Sequence, residues 1–245
     1  MSGDVAEWRA APHGTKGWVG RNVLAAAVHS HEVAACKGTI RMAKDNTQWG
    51  RPSAARADAA ALTPADLAAA WADAHTARLV LRRPQAGDGP AMFAVHGDPA
   101  TNRHNPAGPD LNLATSAATL RGWLRDWEAN GYGYWAITRT DAEGVIGFGG
   151  VKRLAWRDRD VLNLYYRLTP GVWGQGYAAE VARTAVGLAQ EYLPHLPVIA
   201  RTRSANIASQ RTAERAGLRR RPDLDTAHIV FALGWTPAGE PAGPA

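Results

Sequence analysis

The sequence predicts an α+β fold of mixed α/β character, a central twisted sheet of about six to seven strands flanked by helices, with parallel and antiparallel strands in it. Three observations predict it. Leu113, Ala117, Leu120, Leu124 and Trp127 recur at alternating steps of four and three, the spacing of one helical face. Residues 134–138 (YWAIT) and 145–154 flank the turn Asp141-Ala142-Glu143-Gly144 and read as a hairpin. Beyond residue 161, strand-like runs alternate with amphipathic helical ones.

Residues 1–75 read as an amino-terminal extension, partly helical or disordered, in which Ala-rich stretches are joined by Gly, Pro and polar residues. His29, His31 and Cys36 lie close together there, but no fourth ligand follows at useful spacing, so no metal site is expected. Met42 is an alternative natural start. Thr63 and Pro64 form a helix-start signal leading into Leu67 and Trp71. Residues 76–236 read as one folded domain and 237–245 as a flexible tail. In that domain, 78–83 (RLVLRR) is a strand ended by Pro84, 87–96 a short helix, and 113–130 the amphipathic helix stopped by Gly131. The hairpin follows, then a polar loop over 156–160 and a strand over 161–168 (VLNLYYRL). A glycine turn leads into a long helix through Ala178, Val181, Ala185 and Tyr192; 198–202 is a strand, 207–216 a helix capped by Asn206, and 218–221 and 227–233 the last strands.

A chain of 245 residues, 46% hydrophobic, is long enough for one well-buried domain plus an appendage. It has no apolar run of about eighteen residues and no signal-peptide pattern at its start, which predicts a cytoplasmic protein without membrane partners. The single cysteine excludes an intramolecular disulfide and cysteine-rich zinc sites, and no metal is expected. The net charge of +6, carried mostly by arginine, favours a polyanionic partner, either nucleic acid or a small phosphate-bearing ligand.

The stretch 169–180 (TPGVWGQGYAAE) narrows that choice. It stands between a strand and an amphipathic helix, where glycines let successive backbone N–H groups converge at a helix N-terminus carrying about half a positive charge. Such a turn cradles phosphate. No Gly-Lys-Ser/Thr closes it as in nucleoside triphosphatases, and the dinucleotide fingerprint fits its spacing poorly.

The order of hairpin, strand, Gly174-x-Gly176 turn, helix and strand, then Asn206-Ile207-Ala208-Ser209 opening a helix that ends at Ala216-Gly217-Leu218, resembles the Gcn5-related N-acetyltransferase (GNAT) superfamily. Trp173 to Glu180 and Asn206 to Ser209 are similar to the branch that includes the ribosomal-protein alanine N-acetyltransferases. The resemblance covers residues 77–235 and implies an acyl-CoA N-acyltransferase fold. It also implies an enzyme that moves acetyl from acetyl-CoA to a primary amine by direct attack in a ternary complex, the acceptor being a protein N-terminus or a small amine and the enzyme a monomer or homodimer. By the same resemblance Trp173, Gly174, Gln175, Gly176, Tyr177 and Ala178 hold the pyrophosphate. Leu168 and its neighbours pair with the pantetheine arm, Asn206 bonds that arm, and Ser209 binds cofactor and protonates the departing thiolate. The backbone N–H near Tyr165 stabilises the oxyanion; Asn163, at a position where the branch differs, can orient an amine or a water.

Two departures from the superfamily matter. Gly171 stands where a long polar residue begins the usual turn motif, which predicts the loss of one cofactor contact, with binding either weaker or reliant on other arginines. Asn163 stands where the related branch often carries glutamate, so a general base must come from His228, Tyr166 or water. Glu180 reads as a structural complement to the helix dipole, and Trp123, Trp127, Trp135 and Trp156 as core or pocket wall. Two rival readings are a non-catalytic CoA-binding sensor or scaffold, kept open by Asn163 and Gly171, and a basic nucleic-acid-binding protein. No aromatic strand motif or reader helix supports the latter.

Overall fold

The computed structural model describes residues 62–236; His29, His31, Cys36, Met42 and the tail lie outside the described residues. The elements run α1 (Pro64–Trp71), β1 (Asp73–His75), β2 (Leu79–Arg82), α2 (Gly89–His96), α3 (Pro99–Asn102), α4 (Leu113–Asn130), β3 (Tyr134–Arg139) and β4 (Val145–Trp156). They continue with β5 (Arg159–Leu168), α5 (Tyr177–Tyr192), β6 (Val198–Thr202), α6 (Ile207–Arg215), β7 (Arg219–Arg220) and β8 (Ile229–Leu233). The strands form one open sheet in the order β1-β2-β3-β4-β5-β6-β8-β7. Every pairing is antiparallel except β5 with β6, so the sheet is mixed as expected, with the three-residue β1 as an additional edge strand.

The helix boundaries follow from their caps. Thr63 and Asp66 close a capping box at the start of α1, with Pro64 in the first turn. Leu67 and Trp71 of α1 are buried, and the Trp135 indole N–H donates to the Trp71 carbonyl at 2.7 Å, so the folded core reaches back before residue 76. Asn112 caps α4 by accepting from the Thr115 N–H at 3.0 Å; Leu120, Trp123 and Trp127 are buried on it, and Gly131 ends it in the left-handed region at φ 75°.

The polar loop expected over 156–160 is instead a tight hairpin. Trp156 pairs with Arg159, leaving a two-residue turn in which Arg157 (φ 49°) and Asp158 (φ 61°) are both left-handed. Such a turn matches the twist of its strands and usually takes Asn or Asp with Gly. Arg157 is an unusual occupant, stacked 5.1 Å over the Trp156 ring, which is why residue types alone suggested a loop.

The two faces of the sheet bury different cores. On one, Val181, Ala182 and Ala185 of α5 share a cluster with Leu162, Leu164 and Leu168 of β5. On the other, Met92 and Val95 of α2 and Leu120 and Trp123 of α4 cluster with Tyr134 and Phe148. Trp127 and Trp135 are likewise core, whereas Trp156 stacks edge-on against Trp235 with 5.2 Å between centroids.

The tightest joint in the fold is at Gly131, where an added Cβ would lie 1.9 Å from the Pro64 carbonyl oxygen. Gly131→Ala should therefore lower stability by at least about 2 kcal/mol, combining left-handed strain with overpacking, as read from the urea midpoint.

Candidate active site

Strand β5 is paired with β4 along its whole length, from Arg159 to Leu168. Its parallel pairing with β6 covers only Leu162↔Val198 and Asn163↔Ile199. Beyond Asn163 the two strands therefore part. The Leu162 N–H donates to the Pro197 carbonyl on the β6 side at 2.8 Å, and the Thr169 N–H donates to the Ile146 carbonyl on the β4 side at 2.9 Å. Because strand residues alternate in the edge they address, the backbone groups of Leu164, Tyr166 and Leu168 face the gap, whereas the Tyr165 N–H faces β4. The backbone N–H groups near Tyr165 that face the gap are therefore those of Leu164 and Tyr166. Of the groups facing the gap, the Leu168 carbonyl already accepts from the Trp173 indole N–H at 2.8 Å, leaving its N–H for a ligand.

The glycine turn lies at the end of that gap. Gly174 and Gly176 take positive φ, 77° and 83°, which other residues adopt at a cost. The first α5 amides with a backbone acceptor are those of Ala179 and Glu180, both bonded to the Gly176 carbonyl. The N–H groups of Gly174, Gln175, Gly176, Tyr177 and Ala178 have no acceptor among the described residues. These unpaired donors at the positive end of a sixteen-residue helix suit a phosphate.

Across the gap, Asn206 caps α6, its side-chain oxygen accepting from the Ser209 N–H at 3.2 Å. The Tyr166 hydroxyl donates to the Ser209 carbonyl at 2.8 Å and stands 3.1 Å from the Ser209 hydroxyl. Burial pushes the Tyr166 phenol up to about 12, against hydrogen bonds from Ser209 and Thr212 that lower it, so it stays protonated. That makes it a poor general base. Burial, followed by the charges of Arg203 and Arg201, lowers the pKa of His228.

A family model described as an acetyltransferase (GNAT) domain matches residues 78–219, more than half of the chain. The chain belongs to the GNAT acetyltransferase family. An acetyltransferase from Agrobacterium tumefaciens strain C58 is 26% identical, with 66% of this chain and 93% of that one covered at a TM-score of 0.58. A GNAT-family acetyltransferase from Bordetella pertussis has the same fold at 20% identity, covering 65% and 98% with a TM-score of 0.56. The fold is also that of RimL, a ribosomal L7/L12 alpha-N-protein acetyltransferase solved with coenzyme A, at 15% identity, 64% and 94% coverage and a TM-score of 0.52.

In this GNAT acetyltransferase the other face of β5 carries Asn163, Tyr165 and Arg167 toward α2, α3 and α4. The Asn163 amide donates to the Tyr134 hydroxyl at 2.7 Å. The Tyr165 hydroxyl stands 2.9 Å from His96 Nε2, and the Arg167 guanidinium donates to Asn102 Oδ1 at 2.7 Å. Asp110 accepts from the Ser116 hydroxyl at 2.5 Å and lies 4.0 Å from His96 Nδ1. Desolvation raises the pKa of both Tyr134 and Tyr165. His96, which the sequence did not single out, is 7% exposed, and burial, then Arg167, lowers its pKa to about 4 against the weaker opposing pull of Asp110. It is a neutral imidazole at neutral pH, held among Trp123, Phe148 and Tyr165 rings. A lone histidine at a helix end gave no signal of this; its partners are brought together only by the tertiary fold.

The depressed pKa of His96 makes stability pH-dependent. Above 6.5 the imidazole is neutral folded and unfolded; as pH falls from 6.5 toward about 4 only the unfolded chain takes up the proton. About 3 kcal/mol should be lost over that window. Urea midpoints should fall accordingly in the native protein and fall less in His96→Gln.

Proposed function

We propose that this protein transfers the acetyl group of acetyl-CoA to a primary amine by direct attack within a ternary complex. The observation that carries the reading is the parting of β5 from β6 next to a turn of five unpaired backbone amides. The amides of Gly174 to Ala178 hold the pyrophosphate, and the gap-facing groups of Leu164, Tyr166 and Leu168 pair with the pantetheine arm, joined by the free side-chain N–H₂ of Asn206. The N–H of Leu164 or Tyr166 donates to the thioester oxygen as negative charge develops on it. Ser209, steadied by Tyr166, gives its proton to the departing thiolate and regains one through water, which carries away the proton lost by the attacking nitrogen, while Asn163 helps to orient the amine on the opposite face.

The acceptor side favours a single amine over a polycation. Its carboxylates are already engaged among the described residues, Asp110 by Ser116 and Asp126 by Lys152 at 3.1 Å. An amine flanked by apolar or neutral groups, such as a protein N-terminus, meets the aromatic walls of Tyr134, Tyr165 and Trp123. RimL acts on such an N-terminus, and the spermidine N-acetyltransferase of Vibrio cholerae, similar in fold at 14% identity with 64% and 94% coverage and a TM-score of 0.52, was solved with CoA and spermine. A small amine is therefore the alternative acceptor. Among the described residues no helix is long and apolar enough to cross a membrane.

Calorimetry should show micromolar acetyl-CoA binding to the native protein and none to Gly176→Trp, whose indole fills the cradle, with circular dichroism confirming that the variant is folded. No binding by the native protein would sink the reading. Against a panel of peptide N-termini and polyamines, Ser209→Ala should lower kcat on the order of 10²-fold with little change in the KM for acetyl-CoA; an unchanged kcat would remove Ser209 from the proton transfer. Absence of turnover with every amine, despite tight acetyl-CoA binding, would favour a CoA-binding scaffold.

A further inference from the structure

The turn that presents the five unpaired amides is held from outside by a residue far away in sequence. Arg78, just before β2, donates from its NH1 group to the Gln175 carbonyl at 2.9 Å, and from Nε and NH2 to the Glu180 carboxylate at 2.8 and 2.5 Å. The same carboxylate accepts from the Thr76 hydroxyl at 2.5 Å and from the Arg78 backbone N–H at 3.3 Å. The guanidinium lies 4.4 Å from the Tyr177 ring centroid, and an added Cβ at Gly176 would meet Arg78 NH2 at 3.6 Å. Glu180, in the first turn of α5, is thus more than a complement to the helix dipole.

We propose that Arg78, with Thr76, is a positioning residue that sets the orientation of the Gln175–Gly176 peptide and so aims the Gly176 N–H at the bound pyrophosphate. The carbonyl of Gln175 and the N–H of Gly176 belong to one planar trans unit and point in opposite directions. Holding the oxygen on the Arg78 side directs the N–H to the other. Gly176, on one side of that peptide, lacks a Cβ and takes a positive φ, so steric hindrance on that side does little to stop it from turning over. Gly171 has no side chain to hold the turn from its other end. The fork also neutralises Glu180, whose charge otherwise lies within one helical turn of the phosphates. A lysine in place of Arg78 keeps a charge near Glu180 but has no planar fork to hold carboxylate and carbonyl together.

The inference rests on the acetyl-CoA reading, and its test separates the two. Calorimetry with the full chain would compare acetyl-CoA with S-acetylpantetheine, which has the thioester arm and no pyrophosphate. Arg78→Gln should weaken acetyl-CoA binding by about tenfold or more while leaving S-acetylpantetheine binding unchanged. Steady-state rates should show the loss in the KM for acetyl-CoA and leave kcat largely intact. Arg78→Lys should recover less than half of the lost affinity on a logarithmic scale, and it carries the same test should Arg78→Gln fail to fold. Native-like acetyl-CoA affinity in Arg78→Gln, full recovery in Arg78→Lys, or equal losses for both ligands would overturn the role assigned to the peptide. If the native protein bound no acetyl-CoA at all, the parent reading would fall instead.

Discussion

The site depends on unequal pairing along the two edges of β5. On one edge the ladder with β4 is continuous over ten residues; on the other, contact with β6 ends after two. A strand whose N–H and C=O groups face an unfilled edge normally invites aggregation or demands cover. Here the exposed edge is short, interior to the sheet, and flanked by α5 and α6, so an extended ligand of a few backbone-like amides can supply the missing partners. The pantetheine arm has that character, with two amide units. The continuous β4 ladder keeps the parted strand straight and its gap-facing groups in fixed register.

Alternation along β5 then divides the labour. Even-numbered residues send backbone groups into the gap and side chains toward α5 and α6, where Leu162, Leu164 and Leu168 are core and Tyr166 reaches Ser209. Odd-numbered residues send side chains to the opposite face, where Asn163, Tyr165 and Arg167 meet Tyr134, His96 and Asn102. In the proposed reaction, one strand serves donor and acceptor at once. A one-residue slip of β5 against β4 would exchange the two sets, placing leucines on the α2 and α4 side and Asn163 and Arg167 against α5. The chain resists that slip through the two-residue turn at Arg157–Asp158, which sets the register at one end, and the Thr169 bond to Ile146, which sets it at the other.

What the sequence made legible follows the range over which each signal acts. Helix α4 is readable because its apolar spacing and the Gly131 stop lie within one segment, and the Asn206 cap and Gly217 stop do the same for α6. The glycine turn with its unpaired amides is readable because glycines, helix start and preceding strand are contiguous. Which backbone N–H near Tyr165 faces the gap is not legible, because the edge addressed by a strand residue depends on parity relative to a partner strand, which residue types do not encode. The hairpin at 156–160 was missed because Arg157 carries no turn chemistry of its own. Glu180 looked structural because Thr76 and Arg78 stand about a hundred residues away and only the sheet brings them to α5.

The long-range contacts nevertheless obey a local logic. A glycine turn that must approach phosphate closely gives up the side chains that would otherwise fix its peptides, so its rigidity has to be imported. Carbonyl oxygens on the outer side of the turn are the available handles, because the N–H groups are reserved for ligand. A planar cation with several donors is the side chain best suited to grip a carbonyl and a nearby carboxylate together. Its partner must be an acid on the first turn of the helix, where the dipole already favours negative charge and the acid's own charge needs cancelling. Arg78, Gln175 and Glu180 meet each of those requirements, which ties the freedom of the glycines to the β2 end of the sheet rather than to the turn itself.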